Sequence, residues 1–297
     1  MDPFPASELQ LRYFASWLSD HVSFPTIKLY LAGIQFAHIE NSLVDPFADA
    51  PLLRLLLRGI KRTIGLSSRR RLPITMSVMR QLKGALADDP HIASKDKLML
   101  WSAFTLAFFG FLRSSEFTSP SSTHFNPQVH LARSDISFTS NGSLLLQLKA
   151  SKTDPFRMGC SITLSPSGRS VCAVRAMHRY LAHQLPGNST PLYFFSTGQF
   201  LTRDKVTSIL RSQLQRLGFA TESYASHSFR IGAATTAAEA GLPPWLIQTL
   251  GRWSSNCYTQ YIRTPASILH AVPAHLAATH STPLQAWDPS TGQCRPS

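Results

Sequence analysis

In GRWSSNCYTQYIR (251–263) two tyrosines, Tyr258 and Tyr261, stand three residues apart, with Trp253 upstream and Arg263 just behind. A tyrosine hydroxyl is a potential nucleophile, but two aromatics one helical turn apart are equally an ordinary amphipathic face. The local sequence leaves both tyrosines open. Three other places hold residues that are unusual for their settings. Arg113 ends an apolar run, with Glu116 one turn further on. A guanidinium there is costly to bury alone, so it either pairs with Glu116 or is aimed at an anion. Lys152 lies in ASKTDPFR, at the tip of a tight β turn from which a flexible ammonium reaches into a cleft. His227 and Arg230, in HSFR, are three apart at a helix start and so project the same way. Taken singly, each has a purely structural reading: an ion pair, a solvated lysine, a helix cap, half-buried aromatics.

The elements that must hold these residues are legible in outline. Residues 6–35 alternate apolar and polar at helical spacing, and TIKLYLAGIQFAHIE (26–40) reads as a helix entered at Thr26 behind Pro25. PLLRLLLRGIKRTIGLSSRRR (51–71) separates its faces: Leu53, Leu56, Leu57, Ile60 and Ile64 on one, Arg54, Arg58, Lys61 and Arg62 on another. SSRRR, with Arg69, Arg70 and Arg71, then Leu72–Pro73, reads as an interdomain linker. A second unit begins at Ile74, with a helix near 75–86 and an apolar helix over 96–112 that ends in FLRSSEF. Residues 134–167 form the β region, with Asn141–Gly142 as a hairpin turn and a third strand at about 158–164. Helices resume at 170–185, 202–217 and 228–250, and Gly241 and Gly251 fall at C-cap positions. ILHAVPAHLA (268–277) reads as a short helix that either docks on a neighbouring subunit or caps its own domain. The expected fold is mainly α with a small antiparallel β-sheet: a helical domain over 1–72, a second domain over 73–275, and a disordered tail over 276–297.

Composition narrows the partners. The 297 residues carry a net charge of +13, and 43% of them are hydrophobic, enough for a packed core. A chain this basic is drawn to polyanions, because each cation that reaches a phosphate releases condensed counterions. Residues 54–71 hold only basic charges, where solvated helix faces usually mix both signs, so this stripe is expected to contact phosphates. The longest apolar run, LMLWSAFTLAFFGFL (98–112), is shorter than the ~20 residues of a membrane span and reads as a buried helix. The N-terminus, MDPFPASELQ, has no basic flank ahead of an apolar stretch, so no secretory leader is expected. Cys160, Cys172, Cys257 and Cys294 form no CxxC pair, which fits structural thiols in a reduced, intracellular protein. No His/Cys spacing of a metal site occurs, and no metal or other cofactor is expected.

In this order, Arg–xx–Glu, a β-turn Lys, His–xx–Arg, Trp and Tyr resemble the tyrosine recombinases, the phage-integrase family, in their Cre-like branch. HSFRIGAA, LGRW and QYIR carry the closest likeness, LRSSE resembles the family's first arginine box and ASKT its lysine turn. The resemblance spans about 74–265, with a looser helical match over 6–71 to the family's DNA-binding arm, here short by about one helix. The wording GRWSS…YIRTP looks most like recombinases of eukaryotic mobile elements of the Crypton or DIRS type. The resemblance implies that a tyrosine attacks a phosphodiester of double-stranded DNA, leaving a 3′-phosphotyrosyl bond and a 5′-hydroxyl, with no metal or ATP. It assigns Arg113 and Arg230 to the phosphate oxygens, His227 to the same phosphate or to the nucleophile's proton, and Lys152 to the leaving oxygen. Trp253 would offer its indole N–H to the phosphate, and Glu116 would orient Arg113. Tyr261, in QYIR, stands where the family places its nucleophile, with Tyr258 in reserve. Trp253 precedes Tyr261 by eight residues, where nine is typical. The family also implies a synaptic tetramer on DNA, in the nucleus of a eukaryotic host or otherwise in the cytoplasm.

Three rivals remain at this stage. One is a domesticated or truncated DNA-binding relic that no longer recombines. RIGAATTAAEAGLPPWLIQTLGR (230–252) could form a helix-turn-helix, but its second helix is too apolar to read base edges. A type IB topoisomerase would share the chemistry yet relax single duplexes, and an RNA-binding or structural protein would form no covalent adduct.

Overall fold

The computed structural model describes residues 4–65, 71–149, 158–184 and 190–264, together with Pro273 and the pairs 287–288 and 293–294. The chain divides into two compact units, Met1–Arg70 and Arg71–Ser297.

The first unit is a set of three helices: α1 (Glu8–Ser19), α2 (Phe24–Glu40) and α3 (Pro51–Ile64). Ser7 and Gln10 form a reciprocal capping box that starts α1. The acid that follows serves another helix, since Glu8 Oε1 accepts the Leu53 N–H at 2.8 Å and satisfies a donor in the first turn of α3. Leu11, Ala15, Leu18, Ile27, Leu31, Leu53 and Ile60 form the core between the helices. Each such Leu or Ile contributes about 1.5–3 kcal/mol by burial. Arg54, Arg58, Lys61 and Arg62 are all exposed on the opposite face of α3. The helix ends at Ile64, because Gly65 takes φ +68°, a conformation that favours glycine. Arg69 and Arg70 lie outside the described residues.

The second unit is built round α5 (Ser94–Phe109), whose Met99, Leu100, Ala103, Phe104, Leu106, Ala107 and Phe108 are buried. The helix is apolar on all sides because it is enclosed by α7 (Ala173–Leu181), α9 (Ser228–Glu239) and α4 (Met76–Ala87). Phe104 meets Phe229 of α9 at 4.8 Å between ring centroids. A three-stranded antiparallel sheet runs β1 (Ile136–Phe138), β2 (Leu144–Leu148), β3 (Cys160–Leu164), with Phe138 opposite Leu144 and Leu146 opposite Ile162. The β1–β2 turn is closed by Asn141–Gly142, with Gly142 at φ +76° and the Ser143 N–H on Asn141 Oδ1 at 3.1 Å. α8 (Arg203–Arg216), capped by Thr202, completes the shell beside α4.

Three boundaries depart from the sequence reading. The apolar helix stops at Phe109, and Phe111 at φ +50° turns the chain, so Arg113 is the N-cap of a new helix, α6 (Ser114–Phe117). The span 228–250 is two helices, α9 and α10 (Pro244–Gly251), divided at Gly241 with φ +74° and at Pro243. Gly251 is not a C-cap: Arg252 takes that left-handed position at φ 55°, ψ 46°. Gly251 is required for a different reason, since a Cβ there would lie 1.7 Å from the Trp253 indole. Arg71–Ile74 packs along the start of α9. The Leu72 N–H reaches the Ser223 carbonyl at 2.9 Å, and the Ile74 N–H reaches that of Ser228 at 3.0 Å. A Cβ at Gly232 would meet the Ile74 carbonyl oxygen at 1.8 Å, so only glycine permits this approach.

Within 276–297, the stretch expected to be disordered, two short strands pair: β4 (Trp287–Asp288) with β5 (Gln293–Cys294). The helix expected at 268–277 lies outside the described residues except for Pro273. No described helix is long and apolar enough to cross a membrane.

Candidate active site

Four segments converge on one buried cluster: the loop into α6, the start of α9, the end of α10, and the 3₁₀ turn Asn256–Gln260 that leads into Tyr261. Arg230 is its centre and is fully buried. Its Nη1 donates to the Phe111 carbonyl and its Nη2 to that of Gly251, which ties the two loops together. The guanidinium carbon lies 4.3 Å from the centre of the Trp253 ring and 5.7 Å from that of Tyr261. The buried Nε of Arg230 has no hydrogen-bond acceptor among the described residues. Burial, and then the neighbouring Arg113 charge, lowers its pKa to about 10, so it stays cationic at neutral pH.

Arg113 and Glu116 form the pair that the sequence left open. Arg113 Nη1 meets Glu116 Oε1 at 2.9 Å, and the Arg113 N–H donates to Oε2 at 2.8 Å. Oε2 also takes Arg252 Nη2 at 2.7 Å. Arg113 and Arg252 both pair with the buried Glu116 carboxylate, and the Arg230 guanidinium stands in its field as a third cation. Like charges so close in a poorly solvated place favour an anion between them.

His227 caps α9, with its ring 5.3 Å from that of Tyr261. Burial first, then the charges of Arg230, Arg113 and Arg203, lowers its pKa to about 4. The imidazole is neutral at pH 7, able to accept a proton or a hydrogen bond. Trp253 lies 4.9 Å from Tyr261, and its buried Nε1–H has no acceptor among the described residues. Tyr258 meets Trp253 at 6.3 Å and makes no ring contact with His227 or Arg230 among the described residues. The backbone around Tyr261 is pinned by the buried Thr235. Its Oγ1 donates to the Tyr261 carbonyl at 3.3 Å and accepts the Arg263 N–H at 3.1 Å.

Arg113, Glu116, His227, Arg230, Trp253 and Tyr261 thus come together, while Lys152 lies outside the described residues. Arg71, grouped with the basic stripe in the sequence, donates Nη1 to the Glu222 carbonyl at 2.9 Å. Sequence reasoning missed Arg252, Thr235 and Arg203. Arg252 had one signal, an arginine directly against Trp253 after a glycine; the other two had none. No group of His, Cys, Asp and Glu among the described residues could hold a metal ion.

No family model matches the chain. It is 25% identical over 244 residues to the integrase/recombinase XerD homologue of Selenomonas ruminantium, covering 79% of this chain and 67% of that protein. The fold is similar to that of the Tn1549 transposon integrase in complex with transposon right end DNA. The TM-score is 0.58 at 15% identity, over 92% of this chain and 86% of that one. The XerH site-specific recombinase, in a post-cleavage complex on palindromic difH, gives a TM-score of 0.59 at 14% identity, over 91% and 70% of the two chains. XerA recombinase gives 0.52 at 13% identity, over 94% and 86%. The structural likeness establishes that the chain has the fold of these integrase and recombinase structures, and the sequence similarity to the XerD homologue runs over most of the chain.

Proposed function

We propose that the chain cleaves and rejoins double-stranded DNA through a 3′-phosphotyrosyl intermediate with Tyr261 as the nucleophile. The observation that carries this reading is that two buried donors without acceptors, Arg230 Nε and Trp253 Nε1, lie beside Tyr261 in a site where cations outnumber carboxylates. A phosphodiester would supply both the missing acceptors and the missing negative charge. The Tyr261 hydroxyl would attack phosphorus and form the P–O bond to the enzyme, while the bond to the 5′-oxygen breaks. Neutral His227 would accept or hydrogen-bond the phenolic proton, and Lys152, on the sequence evidence, would protonate the leaving 5′-oxygen. Arg113, Arg230 and the Trp253 indole would hold the non-bridging oxygens as charge builds on them, and Glu116 would orient Arg113. Reversal by a different 5′-hydroxyl would exchange strands without ATP, because the bond energy is kept in the adduct.

Similarity to the Tn1549 transposon integrase and to the XerD homologue supports integration or site-specific recombination as the biological outcome. The GRWSS…YIRTP wording supports a eukaryotic mobile-element origin of the Crypton or DIRS type, and hence action in a nucleus. The exposed cations of α3 support a DNA-binding arm over 1–72 ahead of a catalytic domain over 73–275, and assembly as a tetramer on DNA is what the family resemblance implies.

The test is covalent trapping on a nicked suicide duplex carrying the termini of the element that encodes the chain, read on a denaturing gel. Tyr261→Phe removes one hydroxyl and keeps the ring, so it is expected to abolish the adduct and leave DNA affinity unchanged, whereas Tyr258→Phe retains cleavage. Adduct that survives in Tyr261→Phe and disappears in Tyr258→Phe moves the assignment to Tyr258. No adduct from the wild type refutes the reading.

A further inference from the structure

We propose that Arg252 is a positioning residue for Arg113: it fixes Glu116, and Glu116 sets the Arg113 guanidinium for the phosphate. This deepens the recombinase reading and rests on it. Glu116 has a fully buried side chain and is held from both sides, by Arg113 at 2.9 Å and by Arg252 at 2.7 Å. The other bonds of the Arg252 guanidinium serve the adjoining loops. Nη1 reaches the Gly110 carbonyl at 3.0 Å and that of Leu250 at 3.4 Å, and Nη2 also reaches that of Phe111 at 3.3 Å. The four Nη hydrogens of a guanidinium therefore have four acceptors, and none of them is left for a substrate oxygen. Its Nε lacks an acceptor among the described residues just as that of Arg230 does, so the difference between the two arginines lies in their Nη hydrogens.

Arg252 therefore does different work from Arg230, whose two Nη atoms make one bond each to a carbonyl and whose guanidinium lies near the Tyr261 ring. It also stands nine residues before Tyr261, one more than Trp253. The left-handed backbone at Arg252 turns its side chain onto Glu116, while the Trp253 ring lies over Arg230 and beside Tyr261. That backbone suits glycine best, yet glycine would leave Glu116 Oε2 without its guanidinium and the Gly110–Phe111 turn without its clamp. Lysine could restore the charge at Glu116 but not reach the three carbonyls at once.

The experiment compares wild type, Arg252→Met and Arg252→Lys on suicide duplexes whose scissile group is a normal phosphodiester or a neutral methylphosphonate. Arg252→Met is expected to slow adduct formation on the phosphodiester by ~10²-fold, the scale of losing one oriented donor. On the methylphosphonate, which carries no charge for Arg113 to clamp, the loss is expected to be a few-fold at most. Arg252→Lys is expected to fall between, and it keeps the comparison available if the methionine variant fails to fold. Equal slowing on both substrates makes Arg252 merely structural and overturns the proposal. A second readout needs no catalysis: the Nε–H order parameter of Arg113, from nitrogen-15 relaxation, is expected to fall in both variants. If the wild type forms no adduct, the recombinase reading fails by itself, and an unchanged Arg113 order parameter then overturns the positioning role.

Discussion

Replacing His227 by Gln tests the electrostatics of the cluster through folding stability alone. The folded imidazole has a pKa of about 4, lowered chiefly by burial and then by Arg230, Arg113 and Arg203. An unfolded histidine titrates near ~6.5, so between these values the unfolded chain binds more protons than the folded one. Stability from this residue is therefore complete above the unfolded pKa, declines as pH falls toward the folded pKa, and is level below it. Linkage puts the loss at about 2 kcal/mol by pH 5 and about 3 kcal/mol by pH 4, relative to pH 7. Glutamine keeps a polar amide of similar reach and does not titrate in this window. The unfolding free energy of wild type should thus fall by about 3 kcal/mol more than that of His227→Gln as the pH falls from 7 to 4, whatever other groups contribute to both. A difference in unfolding free energy that stays constant over that range refutes the argument, because it would mean that His227 is not buried beside the three guanidiniums.

Gly251→Ala should lower the melting temperature and change the near-ultraviolet dichroism, because a Cβ 1.7 Å from the indole forces Trp253 to move, at about 1–3 kcal/mol. An unchanged aromatic spectrum would refute that packing. Replacing Arg54, Arg58, Lys61 and Arg62 together by Ala should weaken binding to all duplexes alike. The log–log salt slope should fall by about 0.9 for each phosphate that is no longer neutralised, and an unchanged slope would mean that the stripe faces solvent. Lys152→Ala should slow cleavage of a normal phosphodiester by roughly 10²–10⁴-fold but spare a substrate with a 5′-thiol leaving group, since a thiolate leaves without a proton. Equal losses on the two substrates would remove Lys152 from the general-acid role.

Much of the architecture was legible because it is written in local patterns. The apolarity of 98–112 marked a buried helix, Asn141–Gly142 marked the hairpin, and Gly241 marked the helix stop. What could not be read depends on close approaches between distant segments. Gly251 looks like a terminator in the sequence, and only the Trp253 ring against it reveals that the glycine is needed for space. Arg113 looks like the end of a greasy helix, and only the left-handed Phe111 makes it the start of the next. The eight-residue interval to Tyr261 left its register open, and only the folded chain shows that the Trp253 ring lies 4.9 Å from Tyr261 and 6.3 Å from Tyr258. Arg252 escaped notice because its partners, Glu116 and Gly110, lie more than a hundred positions away in sequence.

The docking of Arg71–Ile74 onto α9 bears on how this chain is made. Arg71 meets its acceptor 151 positions later, and Ile74 is seated only once Ser228 and Gly232 exist. During synthesis the ribosome must therefore release nearly the whole second unit before its first residues find their place. Until then Ile74 and the face of α5 that α9 covers stay exposed to solvent and to other nascent chains. Closing so large a loop is slow compared with forming the helices themselves. The first unit, whose contacts are local and complete by Ile64, can fold while the second is still being translated. Yield in a heterologous host should accordingly depend on chaperone supply and growth temperature more than on the final stability of the fold.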